Sequence, residues 1–557
     1  MKKTLLFLLL LAALLPAFSS SARADAPSLY FLPANGAAKA AEGALPCDAV
    51  TLYRTNGQRF LFLPAGWNSE ALCVYFTGAS QITLNGKACQ SGDTVSLRPG
   101  STADVKIKGG GGFTLRVMQS QNLPAVFLTT ASGGLDAIKA DKTVREAGQC
   151  VVTAADGSRA YGGALTYIRT RGNASFYYPK KSFQIKLETA APLFGMNADR
   201  KWVLLANYLD KSLLRNTVAY AVARYAGVYS YVPGTQPVDL YVNHQYYGSF
   251  LLTEKCEIDP DRLNIDSLEK RTEKANAAPL ESFPTFGDRL YALNARKGSR
   301  VENDPEDITG GYLILANSRV YYAWEKSGFV TSRGQAFTLD EPKYASPRQV
   351  EYVSTLFQQI ENALFSPDGV DPDTGKRWSD LLDKTTFVHR YLLAEVLADY
   401  DGQKPYFYKN TDEKDPLIYC APVWDQDNIL GANETYRKPR QFYICTDQSQ
   451  PYLWFPRAMK LADFKSEAME QYRLIYAPAL RILLGQETDP EGRLLSLDAY
   501  AAEIKASAAM DNVRWPISQH RATNFNAQTG NDPAANVRYL RNFMEKRLAF
   551  LDQQWGQ

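Results

Sequence analysis

Residues 395–433 read EVLADYDGQKPYFYKNTDEKDPLIYCAPVWDQDNILGAN. Two short runs with strand character, Tyr406–Lys409 and residues 417–423, flank a link at 410–416 rich in Asn, Asp and Pro. Those are the residues that reverse a chain, so the segment predicts a hairpin. Asp401 precedes the first strand; Asp425 and Asp427 follow the second. A hairpin therefore brings the three acids to one end. Carboxylates gathered at one edge repel unless a proton or a cation neutralises them. A hard oxygen cluster of this kind suits Mg²⁺ or Mn²⁺, with phosphate oxygens completing the shell. A solvated acidic turn is the plain alternative.

A complementary basic half lies upstream, in YIRTRGNASFYYPKKSFQIKLE at 167–188. Arg169, Arg171, Lys180, Lys181 and Lys186 lie on or between strands, and Gly172-Asn173 marks a tight turn between them. Basic side chains flanking a glycine turn can cradle a polyphosphate, with turn amides as extra donors. On the strand that begins at Ser182, Phe183 and Ile185 share one face while Ser182, Gln184 and Lys186 share the other. Surface basic residues with no ligand are the alternative. An acidic loop, a hairpin and a metal-binding Asp, set against basic strands, is the layout of phosphoryl-transfer sites.

Between these halves the pattern alternates strands and helices. Residues 202–205 read as a strand. Asp210 is placed to cap a helix running from 211 to about 226, with Leu213, Leu214, Val218 and Val222 as its apolar stripe. VDLYVNHQYYGSFLLTEKCEI predicts a β-hairpin turning at Asn243-His244. Glu254 follows its second strand, where an acid can pair with a phosphate-binding lysine. Residues 266–309 are polar and irregular and predict an insertion or mobile loop. Residues 310–317 return to strand. Pro347–Phe365 and residues 385–398 read as helices, the second delivering the chain to Asp399 and Asp401. The remainder is mostly helical and ends in the amphipathic run ANVRYLRNFMEKRLAFLDQQW. Residues 45–120 alternate apolar and polar in short runs at 59–63, 72–76, 96–97 and 113–117, predicting a small antiparallel β domain of sandwich type. The GGGG run at 109–112 lacks the Gly-Lys-Ser/Thr of a phosphate loop and reads as a turn.

Residues 1–24 have a basic start, an apolar stretch and an Ala-Arg-Ala end, which predicts a signal peptide cut near Ala24. That apolar stretch is too short for a spanning helix, and no later run is long and apolar enough, so the expected product is exported and soluble. Removing 1–24 lowers Lys+Arg from 62 to 59 against 59 acids. A balance near zero gives no reason to expect nucleic acid or an anionic membrane as partner. Seven cysteines occur without a C-x-x-C pair, so zinc and dithiol redox chemistry find no support. Cys73–Cys89 and Cys420–Cys445 are candidate disulfides by proximity; buried free thiols are the alternative. The three histidines, His244, His389 and His520, accompany no G-x-S-x-G or H-E-x-x-H motif and read as structural.

The motifs RTRGNASFYYPKKSFQIKL, LFGMNADRKWVLLANYLDKSLLRN, VDLYVNHQYYGSFLLTEK, GGYLIL, LLAEVLADYDG, FYK and APVWDQDNILG occur in that order. Taken together the chain resembles the CotH (spore coat protein H) kinase family from about residue 123 to the last helix. The resemblance implies an α+β fold: a bilobal, atypical protein-kinase-like domain with a β-rich small lobe and a helical large lobe. With the β domain before it, the expected division is 1–24 signal peptide, 25–120 β domain and 121–557 kinase-like domain. The resemblance also implies ATP, Mg²⁺ or Mn²⁺, and transfer of the γ-phosphoryl group to Ser or Thr of a protein substrate. By the same resemblance Asp401 matches the catalytic-loop acid, and Asp425 and Asp427 match the W-D-x-D metal motif. Arg171, Asn173, Lys180, Lys181 and Lys186 match the basic phosphate-contacting motif, and Glu254 the acid after the hairpin. Arg215, in L-L-R-N with Asn216, supports the nucleotide region. Asp399 departs from the family's usual Asn, and an acid there would alter metal binding or raise a neighbouring pKa. Two other functions fit the same residues: a non-catalytic surface or coat-organising binder, and a transferase of another group such as AMP.

Overall fold

The computed structural model describes residues 28–34, 45–287, 290–399, 404–433, 437–444, 454–519 and 530–556. The expected signal peptide, Asp401, Cys445 and His520 lie outside them. The fold is α+β, in two compact units: residues 1–61 with 68–117, and residues 62–67 with 118–557. Among the described residues no helix is long and apolar enough to cross a membrane.

The first unit carries two antiparallel sheets. One holds Val50–Thr51, Ser28–Pro33, Leu72–Thr77 and Thr94–Val95; the other runs Tyr53–Thr55, Gln58–Leu63, Gly112–Gln119, Thr102–Ile107, Ile82–Leu84 and Lys87–Cys89. The strand expected at 96–97 falls instead on Thr94–Val95. Cys73 and Cys89 sit in different sheets and are both free thiols, so the expected disulfide does not form.

The second unit begins with a closed seven-stranded barrel. Its order is Ala125–Thr130, Glu146–Thr153, Arg159–Arg171, Ser182–Ala191, Asp199–Leu205, Gln245–Glu254, Thr235–Val242, and the last strand pairs in parallel with the first. Alternation along the strands fills the interior: Phe183, Ile185, Leu187, Trp202 and Leu204 join one core cluster with Val126 and Leu240. Val203, Leu205 and Leu251 point outward and join a second, larger core. That core contains the Arg215–Ala226 helix and the carboxy-terminal helices. The Asn243-His244 turn forms as expected, both residues taking positive φ (48° and 69°), which a two-residue hairpin turn requires.

A seven-stranded antiparallel sheet follows. Its order is Thr285–Phe286, Arg296–Ser299, Gly328–Val330, Ala336–Glu341, Tyr312–Asn317, Tyr406–Lys409 and Ile418–Tyr419. The segment 266–309, expected as an irregular insertion or mobile loop, instead holds regular structure. It contains the Leu268–Ala275 helix and two of these strands. Several of its polar side chains turn inward onto the chain. Asn276 Nδ2 donates to the Asn303 carbonyl at 2.7 Å, Arg271 donates to the Asp307 and Gly310 carbonyls, and Gln349 donates to Thr272 and Asp304. The Pro347–Phe365 helix starts at a full capping box, Ser346 with Gln349. The Lys384–Val396, Ala462–Gln471, Leu497–Arg514 and Pro533–Trp555 helices are among those that build the helical part of the unit.

Candidate functional site

The acidic stretch folds as a hairpin. Tyr408 lies opposite Tyr419 and Lys409 opposite Ile418, with the two tyrosine rings stacked 5.0 Å apart. The second strand is shorter than expected, Ile418–Tyr419, because Pro416 and Pro422 bracket it and neither offers an N–H to the ladder. Past the hairpin the chain returns to its starting point: the Leu430 amide donates to the Leu397 carbonyl at 2.8 Å. This contact closes residues 397–430 into one loop. Asp425 is exposed on it in a left-handed conformation (φ 60°), and Asp427 is half-buried.

The loop is anchored by the start of the Arg215–Ala226 helix. Arg215 is fully buried; its Nε donates to the Ile429 carbonyl at 2.8 Å and its Nη2 to the Leu430 carbonyl at 3.3 Å. Asp210 holds Arg215 in turn, through an ion pair at 2.5 Å and by accepting the Arg215 amide at 2.7 Å. Asn216 Oδ1 accepts the Gln426 amide at 3.0 Å, and its Nδ2 donates to Asn207. Three hydrogen bonds thus fix the backbone on both sides of Asp427. The expected cap is corrected here: the helix begins at Arg215, not 211, and Asp210 orders the turn before it.

Arg171 reaches the same loop from the barrel, its guanidinium 5.4 Å from the centre of the Trp424 ring. Tyr220, on the anchoring helix, is buried beneath it. Burial pushes the Tyr220 hydroxyl far above its usual range, and the Asp425 carboxylate adds to the rise. Arg171, Tyr220 and Asp425 are therefore electrostatic neighbours. The turn that delivers Arg171 needs its glycine: Gly172 has φ 106°, and a Cβ there would sit 1.9 Å from Ser175 Oγ. Asn173, next in the turn, accepts from Lys142 Nζ at 3.3 Å.

A charged cavity of ≈ 420 Å³ is lined among others by Lys201, Lys255, Glu257, Glu269, Asp340 and Glu341. Lys201 and Lys255 both pair with Glu257 Oε2, at 2.6 and 2.8 Å. Burial alone would raise the Glu257 carboxyl, but the two ammonium groups hold it below its usual range. Burial pushes Glu341 up to about 7. Asp340 accepts from the Tyr406 hydroxyl at 2.8 Å, so the cavity wall and the acidic hairpin share a hydrogen bond. Lys186 lies opposite Lys201 in the strand register, on the barrel's outer face.

A family model, CotH kinase protein, matches residues 168–551. The chain belongs to the CotH kinase family. No curated protein matches it. The match covers the barrel from its third strand, the anchoring helix, the sheet and the acidic hairpin.

Several residues expected to contact nucleotide in this CotH-family chain have other partners. Lys180 is buried, with Nζ 2.8 Å from Asp511 and bonded to the Ser249 carbonyl. Arg215, as described, is engaged by Asp210 and two carbonyls. Neither offers a charge to the cavity. Glu254 pairs with Arg262 at 2.9 Å and accepts the Gly234 amide, rather than pairing with a lysine. Lys181 donates to the Phe176 carbonyl across its own turn. Asp399, the departure from the family pattern, is fully buried with Arg390 at 3.8 Å, so a cation of the chain already faces its charge. Asp425 and Asp427 are the acids on the return segment between Val423 and Leu430. Among the described residues no group of three or more His, Cys, Asp and Glu forms a ready metal site.

Local patterns could not reveal Tyr220, the Asp210–Arg215 pair or the Lys201–Glu257 pair, since each is made by residues that read as ordinary helix or strand. The exposed Asp425 carboxylate is a single hard oxygen donor on a backbone held by Asn216 and Arg215, and a cation there would need other oxygens to complete its shell.

Proposed function

We propose that this CotH-family protein is an exported, ATP-dependent kinase that transfers the γ-phosphoryl group to Ser or Thr of a protein substrate. In this reading the barrel is the small lobe, the helical body with the sheet is the large lobe, and the nucleotide lies along the cavity between Lys201 and the acidic hairpin. The observation that carries the reading is the convergence of Arg171, Asp425 and the Arg215–Asn216 anchor on one loop. Asp425, with Asp427, would hold Mg²⁺ or Mn²⁺, which when bound neutralises charge on the phosphates. Arg171 and Lys186 offer cations to the phosphate oxygens. Asp401 accepts the proton of the acceptor hydroxyl. The anchor keeps the loop from reorganising, so most of the rate gain comes from positioning and preset charge.

The test uses purified protein, γ-labelled ATP and Mg²⁺, with Asp401→Ala and Asp425→Ala alongside. Label on Ser or Thr of the protein or of an added substrate, lost at least about 100-fold in both variants, is the expected result. Transfer that survives in both variants overturns the assignment. ATP with Mg²⁺ should also raise the melting temperature of the wild type and not of Asp425→Ala.

A further inference from the structure

The amino-terminal β unit holds a second cavity, of ≈ 250 Å³. Both of its sheets contribute to the wall: Leu29 and Phe76 from one, Ile82, Val105, Ile107 and Phe113 from the other. The space is large enough for several waters, and seven of its ten wall residues are apolar, with Ser28, Thr51 and Arg54 supplying the polar part. A small two-sheet unit normally fills this position with its own side chains. Among the described residues none fills it.

The rim is cationic. Arg54 lines the cavity, and Arg59 lies directly opposite Arg54 in the strand register. Arg59 stacks its guanidinium 3.8 Å from the centre of the Phe113 ring, itself a wall residue. Like charges directly opposite one another are destabilising in a sheet. Among the described residues no carboxylate pairs with Arg54 or Arg59: Arg54 is exposed to solvent, Arg59 has the Phe113 ring, and Arg59 Nε is buried without a hydrogen-bond partner. Burial, and then Arg54, hold the Arg59 guanidinium below its usual range.

We infer that this unit binds a single-headed organic anion, a medium-chain carboxylate with an apolar body of about eight carbons. The chain fills the space between the sheets, and the carboxylate meets Arg54 and Arg59 at the rim. This site is independent of the proposed phosphoryl transfer and stands or falls apart from it.

The experiment is titration calorimetry on the full chain with octanoate and, as its neutral counterpart, 1-octanol. Octanoate should bind saturably at one site, at least about tenfold more tightly than 1-octanol, a gap that charge-assisted hydrogen bonds supply. Raising the salt concentration should weaken octanoate and leave 1-octanol unchanged, a readout that needs no variant. Arg54→Gln with Arg59→Gln should bring octanoate down to the 1-octanol level. Ile107→Trp, which fills the cavity, should abolish both. Octanoate that binds no better than 1-octanol to the wild type, or binding untouched by Ile107→Trp, overturns the assignment.

Discussion

Asp399 and Arg390 face each other in the core, each with a side chain no more than 2 % exposed. Removing one partner of a buried pair leaves the other charge without compensation, at a cost of about 3–5 kcal/mol. Asp399→Asn, which removes this charge, is therefore expected to lower the unfolding free energy by about 3 kcal/mol in urea titration. Its effect on the Mg²⁺ dependence of ATP-induced stabilisation should be nil; a changed Mg²⁺ dependence would mean that Asp399 touches metal. Arg215→Met should cost a similar amount, about 3–5 kcal/mol, because Asp210 stays buried and the Ile429 and Leu430 carbonyls lose their donor. In sequence Arg215 and Asp425 carry equal weight as charged motif residues. What separates them is burial, which depends on packing by residues two hundred positions away.

At the scale of elements, the barrel closes through the parallel pairing of Ala125–Thr130 with Thr235–Val242, and Asn243 extends that seam. Its Oδ1 accepts the Thr130 amide at 2.8 Å, and its Nδ2 bonds the Thr130 hydroxyl at 3.1 Å. Asn243→Ala loses both and puts a less tolerant residue at φ 48°, so a cost of about 2–3 kcal/mol is expected. Asn243→Gly keeps the turn while losing the bonds and should cost less than Ala; equal costs would assign the whole effect to the hydrogen bonds. The turn itself was legible because Asn-His between alternating strands has a local cause. The Pro347–Phe365 helix was legible for the same reason, through Ser346, Pro347 and Gln349. Barrel closure was not, since a parallel partner more than a hundred residues away leaves no local mark. Residues 266–309 misled because polar composition was read as solvation, while Asn276 and Arg271 turn it inward.

At the scale of the molecule, the Leu497–Arg514 helix is tied to the barrel by a buried polar network. Asp511 pairs with Lys180 and accepts the Ser249 amide, Trp515 donates to the Tyr247 carbonyl, and Asp239 accepts from Ser507 at 2.7 Å and Tyr246 at 3.0 Å. Burial pushes the Asp239 carboxyl from 3.8 up to about 6. The folded chain thus holds this proton more tightly than the unfolded chain does. The associated stability is complete below pH 3.8 and is lost as pH rises through about 6. The whole loss amounts to about 3 kcal/mol. Glu341, raised to about 7, slopes the same way, so the wild-type curve alone does not isolate Asp239. Asp239→Asn does, because the amide cannot ionise. Relative to wild type, that variant should gain about 2–3 kcal/mol of unfolding free energy between about pH 4 and pH 8, measured by urea titration at each pH. A gap between variant and wild type that stays constant with pH would mean the Asp239 carboxyl ionises as it does in the unfolded chain, and the network would then owe its strength to the Lys180–Asp511 pair.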